Sequence, residues 1–284
     1  MKKFEDIVIA TDLDGTFFGN ESKLIDKNLS AIKYFTDNGG HFTIVTGRML
    51  YNVLKPFPNA ADYVNMPIIV CDGACIYDLK ASETIKQTPI PFELTKQVVD
   101  FLHKEFPQVG IRVGVMGYAF VSSPDELKNP YINDDWLKCP NRSPKLLTKV
   151  DNWRDLDVIK IVLRVYPHIF HEVYRAIKNK FDSLLSPTYS CDNVIDIQMN
   201  GVNKGKALRE MTESHFKRDV KLIACGDYVN DIEMLDRADL SVCPENAHSE
   251  VKKICDLKLC KNTDGLIGDL VSHIEKILDR GISL

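Results

Sequence analysis

The chain has 284 residues, 44% of them hydrophobic, enough to bury a substantial core in one large domain or two smaller ones. Its 36 Lys and Arg face 40 Asp and Glu, a formal net charge of −4, and the basic residues are scattered, which argues against a nucleic-acid footprint. No stretch is apolar and long enough to span a bilayer, and Met1-Lys2-Lys3-Phe4-Glu5-Asp6 reaches acids before any run of signal-peptide length. Ile7-Val8-Ile9-Ala10-Thr11 is short, β-branched and uncharged, and predicts a buried strand. Leu29, Ile32 and Phe35 then share one face of a helix that stops at Gly39-Gly40. A strand over 42–45 follows, then a short helical stretch ending near Pro56-Phe57-Pro58, and a strand over 67–71. From about 84 to 196 the grain changes: a helix over 92–106, strands over 110–115, 118–122 and 157–166, a helix over 168–181, and short strands over 183–186 and 194–198. From 197 the alternation resumes with a helix over 206–216, a strand over 221–225, a helix over 231–238 and a strand over 240–242. Leu270, Ile274, Ile277 and Leu278 make one face of a closing amphipathic helix.

This order predicts an α/β fold: a doubly wound, Rossmann-like parallel-sheet core over 1–83 and 197–284, interrupted by an α+β module over 84–196. Polar stretches over 81–91 and 197–202 would link the two. Eight cysteines occur, none at CxxC spacing, and Cys71, Cys225 and Cys243 lie in or beside apolar strands. The pattern is that of free, largely buried thiols in a reducing, cytoplasmic setting, and it argues against a zinc site.

Four clusters carry chemistry. Asp12-Leu13-Asp14-Gly15-Thr16 follows the first strand, at the carboxyl edge where parallel sheets bind ligands. Two carboxylates two residues apart can divide the work: one attacks or holds a metal while the other moves protons. Thr43-Ile44-Val45-Thr46-Gly47-Arg48 ends a second strand in a hydroxyl, a glycine and a base. Asn200-Gly201-Val202-Asn203-Lys204-Gly205 sets one lysine between glycines ahead of a helix. Leu222-Ile223-Ala224-Cys225-Gly226-Asp227-Tyr228-Val229-Asn230-Asp231 ends a third strand in a glycine and two acids four apart. Each cluster alone also reads as a turn, a surface lysine or a helix start. Together they supply a nucleophile, an acid/base, a hydroxyl donor, a cation and metal ligands.

In the order and spacing of these clusters the chain resembles the haloacid dehalogenase superfamily, and within it the Cof-type phosphatases that carry a large cap. Asp12 to Thr16 matches the first family motif, Thr46-Gly47-Arg48 the second, Lys204 the third, and Gly226-Asp227 with Asn230-Asp231 the fourth. Ile232-Glu233-Met234-Leu235, Asn246-Ala247 and Asp264-Gly265-Leu266 extend the likeness toward the end of the chain. Phe17-Phe18 stands where leucines are usual, Met199 where proline is common, and Asp72-Gly73-Ala74 where the family usually has Asn-Gly-Ala. Asp72 therefore adds a negative charge near the crevice.

The resemblance implies a Mg²⁺-dependent phosphatase acting on a small phosphorylated metabolite, with the module over 84–196 as its cap. A carboxylate attacks phosphorus only when the ester's charge is masked, and a magnesium ion with a lysine supplies that masking. At the matched positions, Asp12 is implied as nucleophile, Asp14 as acid/base, and Lys204 as the charge balance. Thr46, the Gly47 amide and Asn230 would donate to phosphoryl oxygens. Asp12, the Asp14 carbonyl and Asp227 would be the metal's protein ligands, with Asp231 behind them orienting Asp227 or holding a water. Arg48 would hold a second anionic group of the substrate or pair with a surface carboxylate. His41 and His103, outside every motif, read as packed or surface residues. Tyr131, Trp136, Arg142, Asp192 and Asn193 are minor candidates for substrate contacts. Two other functions share this chemistry. A phosphotransferase or mutase would pass the same phosphoryl group to a second hydroxyl. A non-catalytic signalling module of the receiver kind would hold a phosphoaspartate, but needs no acid/base beside it and no large insertion.

Overall fold

The structure, a computed structural model, describes residues 2–122, 145–147, 152–191 and 193–281. Tyr131, Trp136, Arg142 and Asp192 lie outside the described residues. Strands run Ile7–Thr11 (β1), His41–Ile44 (β2), Ile68–Val70 (β3), Cys75–Asp78 (β4), Glu83–Gln87 (β5), Gly110–Val115 (β6), Tyr118–Val121 (β7), Lys145–Leu146 (β8), Lys160–Arg164 (β9), Leu185–Cys191 (β10), Val194–Met199 (β11), Lys221–Cys225 (β12), Leu240–Pro244 (β13) and Leu257–Leu259 (β14). Helices run Asp26–Asp37 (α1), Leu50–Leu54 (α2), Phe92–Glu105 (α3), Phe170–Phe181 (α4), Lys204–His215 (α5), Ile232–Asp236 (α6), Ser249–Ile254 (α7) and Leu266–Asp279 (α8). The chain separates into two compact units, one of Met1–Arg48, Asn52–Lys86 and Asn203–Leu284, the other of Met49–Tyr51 and Gln87–Val202.

The first unit is built on a five-stranded sheet of order β14-β13-β12-β1-β2, parallel throughout. The side chains of β1 alternate between its two faces. Val8 and Ala10 pack with Ala207, Leu208 and Met211 of α5, Met234 and Leu235 of α6 and Val251 of α7. On the other face α1 packs on α8, and Asn28 ties them: its Nδ2 donates to Phe17 O (2.9 Å) and its Oδ1 accepts from Ile267 N and Gly268 N (3.0 and 3.2 Å). Helices on both faces make the core doubly wound. Register brings Thr11 beside both Ile44 and Cys225. The residues that follow β1, β2 and β12 therefore emerge at one carboxyl edge, where the strand order reverses and α/β sheets bind ligands.

Two local expectations are corrected. β3 does not extend the parallel sheet beyond a single bridge, Val45 to Ile69; it pairs antiparallel with β4, and β5 completes a small separate sheet. Residues 83–87, expected within a polar linker, are that third strand. Glu83 to Lys86 are all exposed, so the segment lacks the alternation that marks a half-buried strand. α7 and β14 were also not anticipated; both are short and carry little apolar patterning.

The second unit has a six-stranded sheet of order β10-β11-β9-β6-β7-β8, antiparallel except for β7 with β8. Ile111, Val113, Ile161, Leu163, Ile195 and Ile197 form its apolar face against Val98 and Leu102 of α3 and Val173 and Ile177 of α4. The alternate positions are polar yet buried: Arg112, Lys160, Asp196 and Gln198, with Lys160 Nζ 3.0 Å from Asp196 Oδ1. This is the mixed α+β composition expected of the insertion.

Candidate active site

The ladder continues one residue past β1, with Asp12 N donating to Cys225 O (2.9 Å), so the Asp12 carboxylate is buried at the sheet edge. The chain then turns tightly over Leu13–Phe17, closed by Phe18 N donating to Leu13 O (2.8 Å). Gly15 sits in this turn at φ +78°, and a Cβ there would fall on the Asp227 carboxylate. Glycine is needed on both counts. Phe17 and Phe18 pack on each other, and Phe17 also on Phe42 and Phe57, so these departures from leucine serve the core beneath the turn.

Asn203 caps α5 by accepting from Lys206 N (2.7 Å), which makes Lys204 the first helical residue and fixes where its side chain starts. Lys204 is 1% exposed. Its Nζ donates to Asp12 Oδ1 (2.7 Å) and Asp231 Oδ1 (2.6 Å). The second Asp231 oxygen accepts from Asp227 N and Tyr228 N (2.9 and 3.1 Å), which orients the Asp227 loop. Thr16 Oγ1 donates to Asp227 Oδ1 (2.7 Å). Carboxylate oxygens of Asp12, Asp227 and Asp231 all lie within 4.8 Å of one another.

Burial dominates the electrostatics. It pushes the Asp12 carboxyl well above the usual carboxylate range; Lys204 counters, while Asp231 and Asp227 add to the rise. Burial, then Asp231, carries Asp227 up to about 7. Burial alone would lower Lys204, but Asp12, Asp231 and Asp72 outweigh it and hold the ammonium firmly charged. Three crowded carboxylates served by one ammonium form an anionic pocket of hard oxygen donors. That donor set fits Mg²⁺.

Beside this group, Thr46 is buried; its N donates to Ile69 O (2.9 Å) and its hydroxyl accepts from Arg48 N (3.1 Å). Asn230 Nδ2 donates to Asp72 Oδ1 (3.0 Å), and Gly47 lies directly against the same carboxylate. Asp14 and Arg48 find each other instead. Arg48 Nε and Nη2 donate to the two Asp14 oxygens (2.6 and 2.5 Å), and Arg48 also donates to Ser22 Oγ (2.6 Å) and Asn52 O (2.9 Å) while lying over the Phe18 ring. The Asp14 side chain is half exposed, and among the described residues its carboxylate is not part of the acidic cluster.

Asp12, Lys204, Asp227 and Asp231 thus come together directly; Gly47 and Asn230 meet through Asp72; Asp14 and Arg48 form their own pair. Thr16, Ser22 and the tie from Asp72 to Asn230 carried no role at the level of sequence. Thr16 stood inside a motif and could have been suspected, whereas nothing marked Ser22. His41 packs edge-on against Phe216, and His103 Nε2 lies 2.8 Å from Ser122 Oγ. Asn193 contributes its carbonyl to Val165 N (2.9 Å).

A family model described as haloacid dehalogenase-like hydrolase matches residues 9–269. The chain is 25% identical to pyridoxal phosphate phosphatase YbhA of Escherichia coli, covering 94% of this chain and 98% of the relative. It is 27% identical to the 5-amino-6-(5-phospho-D-ribitylamino)uracil phosphatase YwtE of Bacillus subtilis, covering 86% and 90%. Among solved structures, a HAD/COF-like hydrolase from Plasmodium vivax superposes with a TM-score of 0.81 at 20% identity, covering 97% of each chain, which shows the shared fold. With the match spanning nearly all of the chain and both halves of the acidic site, this protein belongs to the haloacid dehalogenase-like hydrolases, of the Cof type.

Proposed function

We propose that the protein is a Mg²⁺-dependent phosphatase that hydrolyses a small phosphorylated metabolite through an aspartyl-phosphate on Asp12. The observation that carries this reading is the buried Lys204 ammonium held between Asp12 and Asp231, with Asp227 completing the acidic cluster. The named activities of the two relatives point to a pyridoxal- or flavin-type phosphate, with sugar phosphates as the wider class. Discrimination among leaving groups is assigned to the inserted module of residues 84–196.

Asp12, Asp227 and the Asp14 carbonyl would hold the ion, and Asp231 would keep Asp227 in place. When bound, Mg²⁺ neutralises charge on the phosphoryl oxygens. Lys204 keeps one Asp12 oxygen fixed and leaves the other to attack phosphorus. The bond from phosphorus to the ester oxygen breaks, and Asp14 gives that oxygen its proton. Asp14 then takes a proton from water, the water oxygen attacks phosphorus, and Asp12 is restored as inorganic phosphate forms. Thr46, Gly47 N–H and Asn230 donate to the phosphoryl oxygens as charge shifts onto them. Arg48 pairs with both Asp14 oxygens, so the acid/base role requires that pair to open toward the ester oxygen.

Phosphate release across a panel of phosphorylated metabolites, with Mg²⁺ and with EDTA, tests this. Turnover that needs the metal and favours one chemical class is expected. No release from any ester would overturn the reading, and transfer to added sugars without release would mark a phosphotransferase.

The raised Asp227 carboxyl gives a pH prediction. Proton and cation compete for it, so Mg²⁺ binding weakens as the pH falls below about 7, by up to about tenfold per pH unit for each proton displaced. A raised carboxyl stabilises the metal-free fold at low pH, and that contribution is lost as the pH rises through about 7. At a fixed Mg²⁺ concentration the rise in Tm on adding metal is therefore expected to be larger at pH 8 than at pH 6. An increment independent of pH would contradict this.

A further inference from the structure

Cys71, Asp72 and Gly73 take φ values of +53°, +51° and +104°, three left-handed residues in a row. Two of them are not glycine, and such backbone persists only where its surroundings over-determine it. Here they do. Cys71 N donates to Arg48 O (2.9 Å) and Asp72 N to Thr46 O (3.0 Å), and a Cβ on Gly73 would overlap Asn203 O at the start of α5. The loop is pinned to both segments that carry Thr46, Gly47 and Lys204, and it delivers the Asp72 carboxylate, 4% exposed, among them. Asp72 Oδ1 accepts from Asn230 Nδ2 (3.0 Å) and lies 2.8 Å from where a Gly47 Cβ would be. It faces the groups assigned to the phosphoryl oxygens and adds a charge of the same sign as theirs.

We propose that Asp72 is a specificity-determining residue whose charge weakens the site's hold on the phosphoryl group, so that inorganic phosphate is bound loosely and released. This rests on the phosphatase reading above. Two anions in a water-poor cleft repel strongly, and the Asp72 charge also draws on Lys204, the ammonium assigned to the phosphoryl group. The charge also opposes substrate binding, so Asp72 favours esters whose leaving group contributes binding of its own.

Asp72→Asn separates charge from shape, because its amide oxygen still accepts from Asn230. Binding of inorganic phosphate in the presence of Mg²⁺ is measured by calorimetry on both proteins, with circular dichroism and Tm confirming that both are folded. The variant is expected to bind phosphate at least tenfold tighter, and phosphate to inhibit its turnover at correspondingly lower concentration. Equal or weaker binding by the variant, or no binding by either protein, overturns the proposal. The calorimetry does not depend on turnover, so a protein inert toward every ester would overturn the phosphatase reading separately.

Discussion

Asp12→Asn is expected to abolish turnover, by at least about 10⁴-fold in kcat, while leaving the fold intact. The amide is nearly the size of the carboxylate but a poor nucleophile, so the first covalent step has no substitute group. Asp231 keeps its own 2.6 Å bond to Lys204 in the variant, so the buried ammonium is not left without a counter-charge. The Asp12 carboxyl is raised chiefly by burial, which means that its ionised form is costly in the metal-free protein. Removing that charge is expected to leave the metal-free Tm unchanged or higher. Steady-state kinetics with a thermal melt checks both halves. Activity within tenfold of the parent would remove Asp12 from its role, and a collapse of Tm would show that the carboxylate is structural.

Lys204→Ala is expected to fail on both counts. Without the ammonium, Asp12 and Asp231 face each other buried, and the phosphoryl group loses its charge partner. Loss of such a transition-state partner costs about 10²–10³-fold in kcat, and more where it also fixes the nucleophile. Breaking a buried ion pair from one side costs about 3–5 kcal/mol, because the remaining charges stay unsatisfied. The stability loss is expected to be largest in EDTA and smaller with saturating Mg²⁺, which neutralises the same carboxylates. Denaturant unfolding with and without metal measures it. A variant as stable as the parent in EDTA would contradict the placement of Lys204 at 1% exposure between two acids.

The core strands were legible because burial imposed a simple pattern. β1 and β12 are uncharged or nearly so, and each ends in acids and glycine at the same sheet edge. Three of the four motifs could be read for the same reason, since β1, β2 and β12 are parallel and deliver their following residues to one edge, whereas Lys204 opens α5 behind the Asn203 cap. What could not be read was pairing. Arg48 was open between a substrate anion and a surface carboxylate, and its partner proved to be Asp14, 34 residues earlier, which no spacing rule connects. Asp72 was noticed as an extra charge, but its hold on Asn230 depends on a left-handed loop that sequence does not announce. β5 was hidden because an exposed edge strand needs no apolar alternation. The buried Lys160–Asp196 pair was hidden in a similar way, since polar residues on alternate strand positions read as a solvent face.

The aspartyl-phosphate on Asp12 is the central claim, and trapping it is the most direct test. The protein is quenched in acid during turnover of p-nitrophenyl phosphate with Mg²⁺, reduced with borohydride, and digested for mass spectrometry. Reduction of an acyl phosphate converts that aspartate to homoserine. Homoserine is expected at residue 12 and at no other position. A protein that releases phosphate yet carries homoserine elsewhere, or none at residue 12, would contradict the mechanism.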